Sequence, residues 1–306
     1  MHRSLRAESP PVEPEVVGKE TQAPVPLDAA LLAAWPLPAD EDGDKFARGT
    51  VLVLGGSPVT PGAVILAGMA ALRMGAGRLQ IATAAPAAPA VAVAVPEALV
   101  MPIDVDDDGS LRRPFDEQVL ERISEAEALL MGPGMRASTS PVDVLELVLR
   151  HAGDSSIVVL DAAALSCMPQ VDAALCDRHS GRLILTPNRQ EADRLDGGAE
   201  VSPDEAGTDR LARIARRYGA VVTSFGGVRS SDGRSWDGPH GHPSLGTSGS
   251  GDVLAGMAAG AAARSGDAAQ AACWATFVHA TTGRQLATER GALGFLAREL
   301  IEHARV

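Results

Sequence analysis

Short apolar runs alternate along the chain with longer segments of helical periodicity, and this alternation restricts the fold more than any other feature. Aliphatic runs that end in small or polar residues are typical of buried parallel strands. Strands that alternate with helices predict an α/β fold, with a central, mostly parallel sheet flanked by helices on both faces. The predicted strands are 51–54, 79–83, 128–131, 157–160, 183–185 and 220–224, and the predicted helices are 27–35, 63–74, 141–151, 208–218, 252–264, 268–289 and 293–304.

The chain divides into a short leader and one long domain. Residues 1–26 are rich in Pro and Glu without periodicity, which predicts a disordered leader. No linker interrupts residues 27–306, so we expect a single domain there. In parallel sheets ligands bind beyond the carboxyl ends of the strands, and most glycine-rich motifs of this chain follow predicted strands.

Charge and composition exclude several classes of partner. The chain has 27 Lys and Arg against 39 Asp and Glu, a formal net charge of −12, and only 3% aromatic residues. Neither an acidic surface nor so few stacking side chains suits a nucleic-acid binder. No secretory signal is recognisable, and the Ala-rich run 84–100 is cut by three prolines, which excludes a membrane span. With three cysteines that read as reduced thiols, we expect a cytoplasmic protein without a membrane partner.

The glycine-rich string 246–252, GTSGSGD, leads directly into an apolar helix. Its backbone N–H groups can point into one hollow at a helix N-terminus, where an anion is favoured. Asp252 would lie in the first helical turn, where a carboxylate can cap the helix or accept a proton. An anion hollow beside a proton acceptor is what phosphoryl transfer to a hydroxyl requires. The string is not a Walker A loop, because no Gly-Lys-Ser or Gly-Lys-Thr follows it.

Further motifs accompany this string in a fixed order. They are KFARG at 45–49, GGS at 55–57, PGA at 61–63, RMGAG at 73–77, MGPG at 131–134, VVLDA at 158–162 with AL at 164–165, and LTPN at 185–188 with Glu191. Taken together, these motifs make the chain from about residue 27 to its C-terminus resemble the ADP/ATP-dependent NAD(P)H-hydrate dehydratases of the ribokinase-like superfamily.

The resemblance implies a ribokinase-like three-layer sandwich and a repair enzyme. Such an enzyme dehydrates the S epimer of hydrated NADH and NADPH, with ADP or ATP as co-substrate and Mg²⁺ on the phosphates. The ring hydroxyl would be phosphorylated, and elimination of phosphate would restore the dihydropyridine. Asp252 would accept the hydroxyl proton. The N–H groups of Gly249, Ser250 and Gly251 would stabilise the transferred phosphoryl group.

The resemblance also assigns binding residues and partners. Hydrated dinucleotide would contact Ala63, Gly134, Asn188 and Asp252, and no metal site built from protein side chains is expected. The adenine nucleotide would contact Phe225, Gly226, Gly227, Val228, Arg229 and Gly251. A homo-oligomer is implied, with helices 63–74 and 268–289 as candidate interfaces. Residues before 27 are too few for an epimerase domain, so epimerisation would need a separate protein.

Three positions depart from the family pattern and keep alternatives open. Asn188 stands where the family has His, Ala163 replaces an Asp, and Phe225 stands where the family commonly has a Lys that neutralises phosphate. Arg229 or Arg189 could supply the missing charge. The alternatives are a small-molecule kinase of the same superfamily and a degenerate paralogue that binds nucleotide without turnover. The sequence does not decide between ADP and ATP.

Overall fold

A ten-stranded sheet forms the centre of the molecule in a computed structural model that describes residues 23–39, 43–136, 141–197, 207–239 and 241–306. Its order is β1-β10-β9-β8-β7-β6-β5-β2-β3-β4, and the seven strands from β8 to β4 run parallel. The strands are β1 Val25–Pro26, β2 Thr50–Gly55, β3 Arg78–Ala84, β4 Ala98–Ile103, β5 Ala128–Met131, β6 Ile157–Leu160, β7 Leu183–Leu185, β8 Ala220–Ser224, β9 Gly227–Ser230 and β10 Ser235–Asp237.

Helices cover both faces of this sheet. They are α1 Ala29–Ala34, α2 Pro61–Arg73, α3 Ala88–Ala94, α4 Glu117–Glu125, α5 Pro141–His151, α6 Ala163–Cys167, α7 Ala173–Arg178, α8 Arg189–Leu195, α9 Gly207–Tyr218, α10 Ser250–Ser265, α11 Ala268–Arg290 and α12 Ala297–His303. One hydrophobic cluster joins one sheet face to α1–α3 and α10–α12, and a second joins the other face to α4–α9. The predicted three-layer α/β architecture is therefore confirmed.

Strand β2 shows why these short runs are apolar throughout. All six of its residues are buried. Side chains alternate across a strand, so Val51 and Val53 enter the first cluster while Leu52 and Leu54 enter the second. A strand buried on both faces favours apolar side chains, and Thr50 is the single polar residue of β2.

Strands β5, β6, β7 and β8 have the predicted bounds, whereas β4, β9 and β10 were not predicted from the sequence. Residues 1–22 of the predicted leader lie outside the described residues. Val25–Pro26 forms the edge strand β1, which was not predicted from the sequence, and pairs with β10. Most apolar side chains of α11 pack inside this chain, Trp274 and Phe277 are partly exposed, and the interface on this segment stays a prediction. None of the helices in the described ranges has the length and apolar character of a membrane span.

Candidate active site

The sheet order changes direction between β2 and β5, and the loops after these two strands meet there. The Gly56 amide donates to the Pro133 carbonyl at 2.7 Å, and the Thr60 hydroxyl donates to the Gly134 carbonyl at 2.7 Å. Gly134 has a φ of +66°, and a Cβ on it would lie 2.9 Å from the Ala63 Cβ. Two residues expected to bind substrate, Ala63 and Gly134, are thus in contact at the switch point where α/β proteins bind ligands.

Helix α10 begins at the predicted glycine-rich turn. Its N-cap, Gly249, has a φ of +88°, a conformation that glycine adopts without strain. The Ser250 amide already donates to the Thr247 carbonyl at 3.2 Å, so it is not available to a ligand. Within the described residues, the amides of Gly249, Gly251 and Asp252 donate to no other group. These three amides, rather than that of Ser250, are available to an anion at the helix N-terminus.

Close packing of α10 on α2 brings the Asp252 side of the site next to Ala63. A Cβ on Gly249 would lie 2.7 Å from the Leu66 side chain, and a Cβ on Gly256 would lie 2.1 Å from the Ala67 carbonyl oxygen. Asp252 lies between these glycines on the same face of α10, because residues three and four apart share a face. The carboxylate therefore lies near the start of α2, where Ala63 is found.

Two carboxyl groups of the candidate site, those of Asp161 and Asp252, have raised pKa values. Burial raises the pKa of the half-buried Asp252 carboxyl to about 6. Asp161, which directly follows β6, is fully buried and accepts a hydrogen bond from the Thr186 hydroxyl at 2.7 Å. Burial above all, together with the charges of Asp252 and Glu191, raises the Asp161 pKa to about 7. At neutral pH Asp252 is mostly ionised and can accept a proton, whereas Asp161 is about half protonated.

Asn188 caps the N-terminus of α8. Its side-chain oxygen accepts the Glu191 amide at 3.0 Å, and the Glu191 carboxylate accepts the Asn188 amide at 2.9 Å. This reciprocal pair is a capping box, so the carboxamide oxygen is occupied and the NH₂ group faces outward as a donor. Asn188 is suited to position a ligand oxygen, and it has no titratable group with which to move a proton.

A cavity of about 480 Å³ opens beside the start of α10. Phe225 and Gly226 line it, as predicted for nucleotide contacts, and both have a left-handed φ, +52° and +86°. The complete lining is Asn188, Thr223, Ser224, Phe225, Gly226, Gly241, His242, Pro243, Leu245, Gly246, Leu254, Thr276, His279 and Ala280. The cavity combines an apolar interior with a few polar groups, which is typical of small-molecule sites.

The rest of the segment predicted to bind nucleotide lies elsewhere. Gly227, Val228 and Arg229 do not line the cavity, because they form β9, where the side chains of Val228 and Arg229 are buried. The Arg229 guanidinium donates to Asp237 at 2.7 Å and to the Trp236 carbonyl at 2.8 Å. Packing and an ion pair on β10 therefore occupy the side chains of Val228 and Arg229, and contact of residues 227–229 with nucleotide stays a prediction.

His279 lines the cavity, although none of the sequence motifs described above includes it. Its Nε2 lies 3.0 Å from the Ser250 hydroxyl and 3.1 Å from the Ser250 carbonyl oxygen. Burial lowers the His279 pKa to about 4, so the ring is neutral at physiological pH. A weak signal was present in the sequence, because Thr276 and His279 are polar residues three apart and therefore lie on one face of α11.

Comparisons with known proteins agree with this geometry. A family model described as NAD(P)H-hydrate dehydratase matches residues 51–305. The ADP-dependent (S)-NAD(P)H-hydrate dehydratase of Xanthomonas campestris is 46% identical over 281 residues, which cover 90% of this chain and 92% of that protein. Other relatives are bifunctional NAD(P)H-hydrate repair enzymes, of which this chain spans about half the length.

Solved structures show the same fold. The ADP/ATP-dependent NAD(P)H-hydrate dehydratase of Bacillus subtilis, co-crystallised with ATP/Mg²⁺, superposes with a TM-score of 0.72 at 24% identity, covering 92% of this chain and 96% of that one. A ribokinase-like superfamily protein of Enterococcus faecalis gives a TM-score of 0.70 at 20% identity, covering 88% and 93%. The ribokinase-like fold implied by the sequence motifs is confirmed.

Proposed function

Because the chain belongs to the NAD(P)H-hydrate dehydratase family, we propose that it dehydrates the S epimer of hydrated NADH and NADPH at the expense of ADP or ATP. One observation carries this proposal: the ionisable Asp252 lies beside unpartnered amides at the N-terminus of α10. That turn contacts Leu66 of α2, and Gly246 and Leu254, which flank it in sequence, line the cavity that Phe225 also lines. A hydroxyl acceptor on one side and a phosphoryl donor on the other would meet at this carboxylate.

The reaction follows from these positions in two steps. Asp252 accepts the proton of the ring hydroxyl while the hydroxyl oxygen bonds to the terminal phosphorus of the nucleotide and the phosphoanhydride bond breaks. The amides of Gly249 and Gly251 stabilise the charge on the phosphoryl oxygens during transfer. The lone pair of the ring nitrogen then expels phosphate with the electrons of the C–O bond. Loss of a proton from the adjacent ring carbon restores the dihydropyridine.

Substrate contacts are proposed for Ala63, Gly134 and the NH₂ group of Asn188, and nucleotide contacts for Phe225, Gly226 and the Gly251 amide. Magnesium would reside mainly on the nucleotide phosphates. Among the described residues, no three His, Cys, Asp or Glu side chains are grouped to hold a metal. Such an ion would be held by the phosphates and would neutralise their charge, which leaves Asp252 to accept the proton.

The partners, location and oligomeric state of the chain are also part of the proposal. We propose that a separate epimerase converts the R hydrate, and that the chain acts in the cytoplasm as a homo-oligomer. The exposed Met69 of α2 supports an interface on that helix, whereas most apolar side chains of α11 are buried within the chain.

Restoration of dihydronicotinamide absorbance tests the activity directly. Purified protein is incubated with hydrated NADH and ADP or ATP, with nucleotide consumption measured in the same reactions. Recovery of NADH that requires nucleotide supports the dehydratase. Consumption of nucleotide only with a different alcohol would identify a kinase instead. Calorimetric binding of nucleotide without turnover of any substrate would identify a degenerate paralogue.

Activity should fall in mildly acidic solution. Asp252 acts as a base only when ionised, and its pKa is raised to about 6 by burial. The kcat/KM for hydrated NADH should therefore fall about tenfold per pH unit once the pH is well below 6. Above pH 7 the Asp252 carboxylate is ionised, and its titration should no longer change kcat/KM. Circular dichroism at each pH is the control for folding. A rate that stays constant down to pH 4.5 would exclude this carboxyl as the proton acceptor.

A further inference from the structure

The proposed nucleotide cavity lacks an obvious cation. ADP and ATP carry several negative charges, and the chain itself has a net charge of −12. The residues that line the cavity include two histidines and no Lys or Arg. His279 is neutral because burial lowers its pKa to about 4. Arg229, which the sequence offered as a replacement, is buried against Asp237. A positive side chain just outside the lining would add to the neutralisation that a phosphate-bound ion and the α10 amides supply to a polyphosphate.

Arg189 lies at the rim of this cavity. It is exposed, it begins α8, and it follows the lining residue Asn188. Its Cζ lies 5.7 Å from the centroid of the Phe225 ring, within the range of a cation–π contact. Within the described ranges, no carboxylate lies at salt-bridge distance from Arg189, whereas Arg229 is paired with Asp237 and Arg194 donates to the Ser166 hydroxyl. Its donors are therefore free for a ligand.

Phe225 holds a position that serves this contact. It is 60% exposed although it is a large aromatic residue, and its φ of +52° is rare for a bulky side chain. The left-handed turn that it shares with Gly226 presents the ring at the mouth of the cavity instead of in the core. A guanidinium that lies against an aromatic face loses side-chain freedom but keeps the donors at its edge. Phe225 therefore orients Arg189 towards an anion at the mouth.

We propose that Arg189, held against Phe225, binds the polyphosphate of the adenine nucleotide and makes the site favour di- and triphosphates over AMP. This inference rests on the proposed function for the identity of the ligand. Arg189 would contact nucleotide directly, and Phe225 is the positioning residue. A planar guanidinium can donate two parallel hydrogen bonds to phosphate oxygens, which a phenyl ring cannot do. In this chain the charge comes from Arg189 at the start of α8, and Phe225 supports it from the turn that follows β8.

Calorimetric titration with AMP, ADP and ATP tests the proposal. Arg189→Gln should weaken ADP and ATP by about tenfold or more and AMP by less than about threefold, because charge-assisted bonds to the outer phosphates are lost. Arg189→Lys should recover part of the affinity. The Gln variant should also show a weaker dependence of ADP affinity on salt. Arg150→Gln, an exposed arginine at the far end of α5, is the matched control and should bind all three nucleotides normally.

The Phe225→Leu variant distinguishes two roles of the Phe225 ring, which are orientation of Arg189 and simple apolar contact with the nucleotide. If the ring acts by orienting Arg189, Phe225→Leu should lower ADP affinity, and the double variant should be no weaker than Arg189→Gln alone. Equal losses for AMP, ADP and ATP in the Arg189→Gln variant, or no loss at all, would overturn the proposal. Nucleotide binding is measured without hydrated NADH. If Arg189→Gln loses ADP affinity as expected but the unsubstituted protein does not dehydrate hydrated NADH, the proposed function is refuted and this inference still stands.

Discussion

Replacement of Asp252 with Asn is expected to lower the dehydration rate by about a thousandfold. The carboxamide has nearly the shape of the carboxylate but cannot accept the hydroxyl proton at neutral pH. Binding of ADP should change little, because the free amides of Gly249 and Gly251 and the cavity walls remain. Rates are measured by recovery of NADH from its hydrate and nucleotide affinity by calorimetry. Loss of rate with retained binding assigns Asp252 to the chemical step.

Asp143→Asn is the matched control for this variant. Asp143 is also a carboxylate in the first turn of a helix, α5, but it is exposed and paired with Arg113 at 2.6 Å. Its replacement should leave the rate unchanged, since exposed ion pairs contribute little to stability and this one lies outside the cavity. If Asp252→Asn retains a near-normal rate, another group accepts the proton and the base assignment is wrong.

Replacement of Gly256 with Ala is expected to reduce the free energy of unfolding by about 3 kcal/mol. A Cβ at this position would lie 2.1 Å from the Ala67 carbonyl oxygen and 2.8 Å from the Ala67 Cα, all backbone atoms of α2. Backbone cannot rotate away as a side chain can, so α10 and α2 would have to separate. Denaturant unfolding followed by circular dichroism measures the change.

Gly62→Ala provides the opposite result in the partner helix. A Cβ on Gly62 would meet nothing within 4 Å, so the substitution adds no contact in the folded state. It should leave stability unchanged or raise it by about 0.5 kcal/mol, since alanine restricts the unfolded chain. If Gly256→Ala were as harmless as Gly62→Ala, the two helices would be less tightly packed than the structure indicates.

Most strands of the sheet could be predicted from the sequence because the central strands are buried on both faces. Strands such as β5 and β6 are uninterrupted aliphatic runs, and no other local structure competes with that pattern. Strand β4 was not predicted because it is partly exposed and contains Pro102. Such a strand exists through its pairing with β3, which a local pattern does not record.

Some features of the candidate site could likewise be predicted from the sequence, and others could not. The turn at Gly249 and the acid at Asp252 were predicted, because their chemistry is local to one helix N-terminus. The burial of Arg229 was not, because its partner Asp237 lies across a hairpin. Nor was the cavity, whose walls come from segments that are distant in sequence, including the turn at Phe225 and the α11 residue His279. Only tertiary packing brings such segments together.

Backbone contact at Gly256 and Gly260 leaves α10 little room to slide along α2. The two sides of the cavity therefore have unequal freedom to adapt. Residues 241–246, on the other side, form a loop with a single short 3₁₀ turn at Pro243–Leu245. A nucleotide longer or shorter by one phosphate has to be accommodated by that loop. In a library selected for a changed phosphoryl donor, successful substitutions should accumulate in the loop and spare the helix.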